Sequence, residues 1–185
     1  MFSSLEPLFL RVPRGIGSRF RLLLYKFLGM KAGIRNRMEK SRCRRVSQIC
    51  IGDNNAFTQG IMLWPEDAPY EGTRIKIGDK NYFNRNMMID ACGYIEIGSN
   101  NMFGPDIYIT DSNHRFGSDV SPSAEPMEKG KVKIGNYCWI GAKAVILMDV
   151  ELGDHCVVAA GAVVTKSFPA GSLVAGVPAK LLKKI

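Results

Sequence analysis

From Ile134 onward every sixth residue is aliphatic: Ile134, Ile140, Ile146, Leu152, Val158 and Val164. The residue after each anchor is usually small (Gly135, Gly141, Gly153, Ala159). The fourth residue after it is small or medium (Cys138, Ala144, Val150, Cys156, Ala162). No α-helical period fits this spacing, which reads as a series of short strands, each followed by a corner. Such a unit cannot bury its apolar face alone and must stack on copies of itself. The same step recurs upstream in Ile51–Phe57–Leu63, Ile77–Phe83–Ile89–Ile95 and Ile97–Phe103–Ile109, with Ile-Gly at 51–52, 77–78, 97–98, 134–135 and 140–141.

Three hexads make one triangular coil of about 18 residues, with anchors pointing inward and neighbouring coils about 4.8 Å apart. The pattern therefore predicts that Ile134 stacks with Leu152, Ile140 with Val158 and Ile146 with Val164. Cys138 and Cys156 should share one inner wall as small apolar side chains. With 185 residues the chain is long enough for one domain. Its 46% apolar and 23% charged content excludes a disordered chain. The five cysteines are odd in number and lack C-x-x-C, which argues for reduced structural thiols against a disulfide framework or zinc knuckle. The sequence has no stretch long and apolar enough for a membrane span and no signal-peptide layout, so the expectation is a cytoplasmic protein.

The net charge of +8 is unevenly placed: residues 1–50 hold 12 Lys and Arg against 2 Asp and Glu. This basic segment suits an acidic membrane surface or an anionic glycan carrier. Nucleic acid is not an expected partner, because aromatic interleaving and recognised binding motifs are absent. Within the segment, 13–29 is expected to be a helix, entered at Pro13 and left at Gly29, with Ile16, Phe20, Leu23 and Phe27 on one face. That face either packs on the base of the coils or makes a peripheral membrane contact, through residues 11–45, on the inner face of the membrane. The organisation is thus a basic N-terminal helical segment (1–45), a repeat domain (46–170) with loop insertions at 64–74 and 115–131, and a C-terminal cap (171–185).

The run IGNYCWIGAKAVILMDVELGDHCVVAAGAVVTKSF, followed by AGVPAK at 175–180, closely resembles hexapeptide-repeat acyltransferases. The nearest likeness is the branch of galactoside, maltose, nodulation-factor and capsular-polysaccharide O-acetyltransferases. The resemblance covers 75–185 strongly and 45–75 weakly. It implies an all-β fold, a single-stranded left-handed parallel β-helix, although generic chirality rules favour right-handed crossovers. It also implies a homotrimer that uses acetyl-CoA as co-substrate, needs no metal, and acetylates a sugar or glycan hydroxyl in surface polysaccharide or lipopolysaccharide biosynthesis.

Of the two histidines, His114 ends the run Thr110-Asp111-Ser112-Asn113-His114 at the start of a long loop, where the family has its general base. His155 occupies a variable position of LGDHCV and should point outward. No cysteine or serine has a histidine at motif spacing, so direct transfer is expected rather than a covalent intermediate. A backbone N–H near Gly141 or Ala142 is the candidate oxyanion donor; some relatives carry serine where Ala142 stands.

The resemblance further assigns the acceptor to Asn84 and Asp90, though the Asp90 spacing departs by two residues from the galactoside enzyme. As corner residues, Asn84 and Asp90 also read simply as satisfying their own turns. The resemblance assigns acetyl-CoA to Ala142, Ala160, Thr165, Lys166, Lys180 and Lys183. Relatives often have arginine at the last two places, whose forked phosphate contacts lysine cannot make. Trp139 either walls the pantetheine channel or is surface packing. The alternatives are an amino-sugar N-acetyltransferase and a non-enzymatic β-helix scaffold. A zinc hydratase of the same fold would need a third histidine.

Overall fold

The computed structural model describes residues 6–67, 70–117 and 119–185, with only the helical backbone described for 6–14. Residues 1–5, 68, 69 and 118, which belong to the expected N-terminal segment and the two insertions, lie outside the described residues. Short strands succeed one another around three faces. The first face carries six, from Lys31–Ala32 to Glu151–Leu152, and the second eight, from Arg37–Met38 to Lys180–Lys184. The third carries six, from Arg42–Cys43 to Val163–Val164. Within a face all neighbours are parallel except the last pair of the second.

The predicted register holds. Ile134 pairs with Leu152, Ile140 with Val158 and Ile146 with Val164, and all six are buried. Inside the second face Phe57, Phe83 and Phe103 stack nearly parallel, with centroids 4.6 and 4.8 Å apart.

A second internal column runs along the corner between the first and second faces, which the apolar repeat alone did not reveal. Asn55, Asn81 and Asn101 are buried there. Each side-chain oxygen accepts the backbone N–H of the corresponding residue one coil on: Asn55 from Asn81 at 2.9 Å, Asn81 from Asn101 at 2.9 Å, and Asn101 from Cys138 at 2.6 Å. The column satisfies corner amides that the ladders leave unpaired. It passes to sulfur at Cys138 and Cys156. All five cysteines are free thiols, and burial pushes Cys138 up to about 11 and Cys43 up to about 12.

Two expected boundaries need correction. The solenoid begins at Lys31 and not at 46, because Ala32, Met38 and Cys43 fill inward positions without the Ile-Gly signature. Ser172–Ala175 still runs parallel on Val157–Val158. The true reversal is Lys180–Lys184, which folds back antiparallel on it and covers that edge.

The helix, α1, spans Glu6–Phe27 and contains Pro13 rather than starting there; a proline removes one donor without necessarily ending a helix. Its exit is as expected. Gly29 has φ +102, its N–H donates to the Lys26 carbonyl, and the Met30 N–H donates to that of Tyr25, a Schellman closure.

The face that α1 buries is the opposite of the one its apolar residues mark. Ile16, Phe20, Leu23 and Phe27 are 65, 70, 66 and 88% exposed. Ser18, Leu22 and half-buried Tyr25 face the base of the first coil instead. That base is an open strand edge whose backbone groups need polar partners. The Ser18 hydroxyl accepts the Met38 N–H at 2.7 Å, Arg21 donates to the Met38 carbonyl at 3.1 Å, and the Tyr25 hydroxyl donates to the Ser41 carbonyl at 3.2 Å. Satisfying the edge turns the polar side of the helix inward.

Candidate functional site

The coils leave two long edges beside the third face. The edge where the chain enters it from the second face holds residues 84–86, 104–106, 141–143 and 159–161. The edge where it leaves for the first face holds 91–93, 111–131, 147–150 and 165–168. The candidate residues divide between these edges, separated by one strand's length, on the order of 15 Å.

On the leaving edge the chain departs from the coil at Asp111. Ser112–Asn113 pairs antiparallel with Glu128–Lys129, so the long insertion projects as an arm. His114 stands exposed at its root. Its Nδ1 lies 3.3 Å from the Pro122 carbonyl oxygen. A carbonyl can only accept, so a hydrogen bond here has Nδ1 as its donor and leaves Nε2 facing away from the Pro122 carbonyl. His114 lines an open cavity of about 390 Å³ with Arg115, Phe116, Gly117, Glu125 and Glu128.

Asp111 is buried and ties this root down. One carboxylate oxygen accepts the Cys92 N–H at 2.7 Å, the other the Gly93 N–H at 3.0 Å, and its own carbonyl accepts the Gly130 N–H at 2.8 Å. Burial pushes its carboxyl up to about 6 against those two hydrogen bonds, which lower it. Sequence reasoning gave Asp111 no role; the available signal was a lone carboxylate three residues before the histidine.

Asp90 lies on the outer side of the third face, paired in register with Thr110 of the coil that launches the arm. Its Oδ2 accepts the Tyr108 hydroxyl at 2.9 Å, while its Oδ1 is buried without a hydrogen-bond partner. Burial raises its carboxyl above the ordinary value. Thr165 and Lys166 are exposed on the same leaving edge, with the Lys166 ammonium 5.8 Å from the centre of the Phe168 ring.

The entering edge carries Asn84, Ala142, Ala160 and, past the final turn, Lys180. Asn84 spends its side-chain oxygen on the Arg85 N–H at 2.8 Å, as a corner residue closing its own turn. The Gly141 N–H donates to the Val158 carbonyl at 2.7 Å, which removes it as an oxyanion donor. The N–H groups of Ala142 and Ala160 donate to no acceptor among the described residues, so this edge offers two spare donors one coil apart. Gly104 lies so close under Ala142 that a Cβ there would come within 2.6 Å of the Ala142 nitrogen.

Lys180 pairs with Ala175, at the end of its strand nearest this edge. Lys183 pairs with Leu173 toward the opposite end, so the structure separates the two. Trp139 points outward from the second face and is about half exposed. His155 is exposed at the corner between the first and second faces, stacked on Tyr137 at 5.0 Å, away from both edges as expected. Among the described residues no group of His, Cys, Asp and Glu could hold a metal ion.

One chain therefore holds two half-sites. A base and a Thr-Lys pair lie on one edge, with the half-buried carboxylate of Asp90 on the face beside it. Spare backbone donors and a lysine lie on the other.

Comparison with known proteins bears on both fold and chemistry. Residues 131–166 match the family described as bacterial transferase hexapeptide (six repeats). An Escherichia coli protein described as a lipopolysaccharide biosynthesis O-acetyl transferase is 32% identical over 76% of this chain and 74% of its own length. The galactoside O-acetyltransferase of Escherichia coli is 33% identical over 69% of this chain and 64% of its own. Among solved structures, the Bacillus cereus N-acyltransferase AntD, in complex with dTDP and coenzyme A, superposes with a TM-score of 0.74 at 20% identity, covering 86% of each chain. The three-sided coil is the left-handed parallel β-helix that the resemblance to hexapeptide-repeat acyltransferases implied.

Proposed function

This chain belongs to the hexapeptide-repeat transferase family, and we propose that it is an acetyl-CoA-dependent acyltransferase that acetylates a sugar hydroxyl with His114 as general base. The observation that carries the reading is the division of the site between two edges of the third face. A second chain laid against that face sets the leaving edge of one subunit beside the entering edge of the next. Cyclic closure of such a head-to-tail contact on a three-sided prism gives a homotrimer with three shared sites.

In that site the Nδ1–H···Pro122 contact fixes the tautomer, and Nε2 takes the proton of the acceptor hydroxyl as its oxygen attacks the thioester carbon. The oxyanion is met by the Ala142 N–H, and the Ala160 N–H is available to the pantetheine amides. Collapse breaks the C–S bond, and the proton passes from the imidazolium to sulfur as CoA leaves. Thr165, Lys166 and Lys180 meet the CoA phosphates, with Lys183 farther out along its strand. Asp90, half-buried on the third face, and Asn84, on the other edge, flank the acceptor sugar.

The O-acetyltransferase relatives favour a glycan hydroxyl of a surface polysaccharide or lipopolysaccharide as acceptor, with the reaction in the cytoplasm where acetyl-CoA is made. No described helix is long and apolar enough to cross a membrane. AntD, an N-acyltransferase crystallised with dTDP, supports a second reading in which the nucleophile is a sugar amine.

The test is thiol release from acetyl-CoA against a panel of free and nucleotide-linked sugars, half of them amino sugars. Release with a hydroxyl acceptor supports the first reading, and release confined to amino sugars transfers support to the second. No release with any member, together with no binding of acetyl-CoA, overturns both.

A further inference from the structure

The helix at the base of the solenoid presents a surface that the proposed chemistry does not use. Ile16, Phe20, Leu23 and Phe27 recur at spacings of four, three and four, project away from the first coil, and are all exposed. Such an apolar stripe on an otherwise well-packed protein marks a contact. Between α1 and the first coil runs a groove of about 320 Å³, where Leu23 and exposed Ile34 meet the three cations Arg19, Lys26 and Arg35, with no acidic residue among its lining. The helix itself contains one acid, Glu6.

The inner side of α1 is already committed. Ser18, Arg21 and Tyr25 cap the backbone of the open coil edge. The outer side cannot turn inward without breaking those bonds.

We propose that this end of the molecule is a docking surface for an anionic lipid bilayer. The apolar stripe of α1 enters the boundary between headgroups and acyl chains, and Arg19, Lys26 and Arg35 meet lipid phosphates. Charge chooses this occupant. Residues 1–50 carry 12 basic against 2 acidic residues, so a second copy presenting the same face would be repelled. A bilayer with anionic headgroups attracts it. An apolar helix face flanked by Lys and Arg is the form that lies in a membrane interface without crossing it.

The surface is independent of the acyl-transfer reading, since its residues lie at the base of the first coil and the half-sites lie along the edges of later ones. Docking there would hold the enzyme beside acceptors carried on lipid.

The experiment uses the full-length chain and flotation with vesicles of neutral phosphatidylcholine, or of the same lipid with about a third phosphatidylglycerol, without acetyl-CoA. The expected result is binding to the anionic vesicles at least about tenfold tighter than to neutral ones. Binding should fall by at least about tenfold when salt rises from about 0.05 M to about 0.5 M. The double variant Phe20→Ser/Phe27→Ser changes only exposed side chains. It should lose at least about tenfold in vesicle affinity while keeping its circular dichroism spectrum, its oligomeric state and its turnover of a soluble acceptor. The triple variant Arg19→Gln/Lys26→Gln/Arg35→Gln should lose most of the salt dependence. The proposal is overturned if the wild type ignores anionic vesicles at low salt, if neutral vesicles bind as well, or if the phenylalanine variant binds undiminished. A change of oligomeric state in that variant would also overturn it, by making the stripe a contact between subunits. A chain that floats with anionic vesicles but transfers no acetyl group would sink the enzymatic reading alone.

Discussion

Replacing Asn81 with alanine tests whether the asparagine column holds the corners of the coil. The side chain is buried. Its oxygen accepts the Asn101 N–H at 2.9 Å, and its amide donates to the Gly98 carbonyl at 2.9 Å and to Asn55 Oδ1 at 3.0 Å. Asn55 Oδ1 keeps the Asn81 backbone N–H in the variant and loses least. The Asn101 N–H and the Gly98 carbonyl lose a partner inside the protein. At about 1–3 kcal/mol for each of the two orphaned groups, the loss comes to about 2–6 kcal/mol, toward the lower end if water fills the space. Asn81→Asp keeps the acceptor for Asn101 but sets a carboxylate oxygen against the Gly98 carbonyl and Asn55 Oδ1. It should be worse than alanine at neutral pH and recover in acid, where a protonated carboxyl donates to Gly98. The assay is urea unfolding at fixed protein concentration, so that the proposed trimer would contribute equally to wild type and variants. If both variants unfold within about 0.5 kcal/mol of wild type, the column contributes nothing and the corners are held by the ladders alone.

Three further outcomes are expected. His114→Ala should lower turnover by about 10²- to 10⁴-fold with acetyl-CoA affinity nearly unchanged, while His155→Ala, on a remote corner, should be nearly silent in the same steady-state assay. The folded state raises the Asp111 carboxyl from 3.8 to about 6, so it holds that proton more tightly than the unfolded chain. The stability this group contributes is full below about pH 4 and lost as pH rises through about 6, worth on the order of 3 kcal/mol; Asp111→Asn should remove that component from a series of unfolding curves. Gly104→Ala, whose Cβ would meet the Ala142 backbone, should cost about 1–3 kcal/mol and raise KM for acetyl-CoA more than it lowers kcat, read from saturation curves.

The sequence made the repeat legible because a six-residue step puts an inward side chain at the same place in every strand, and that side chain must be apolar. The stacking of Ile134 on Leu152 follows from counting alone. The asparagine column was hidden because Asn55, Asn81 and Asn101 sit in corner sequences, where asparagine is ordinary turn chemistry. Only the pairing of coils shows that their oxygens reach one layer on.

Of the two readings of the helix's apolar face, packing on the coils fails for a different reason. The base of a β-helix is a row of unpaired N–H and C=O groups, and these recruited Ser18, Arg21 and Tyr25. At the site, motif resemblance named His114, Ala142 and Ala160, and the fold then separated them onto two edges. A list of motif residues along one chain carries no information about which subunit supplies each.

That separation makes subunit complementation the most direct test of a shared site. His114→Ala disables the leaving edge, and Ala160→Trp, at an exposed corner, blocks the entering edge. Each variant alone should be nearly inactive in thiol release. Unfolded together in equal amounts and refolded, they should form mixed trimers in which about a quarter of the interfaces join two intact edges, and activity should return to about a quarter of wild type. If the mixture stays as inactive as its components while assembling normally, each site lies within one chain, and the account of His114 acting on a thioester held by its neighbour is wrong.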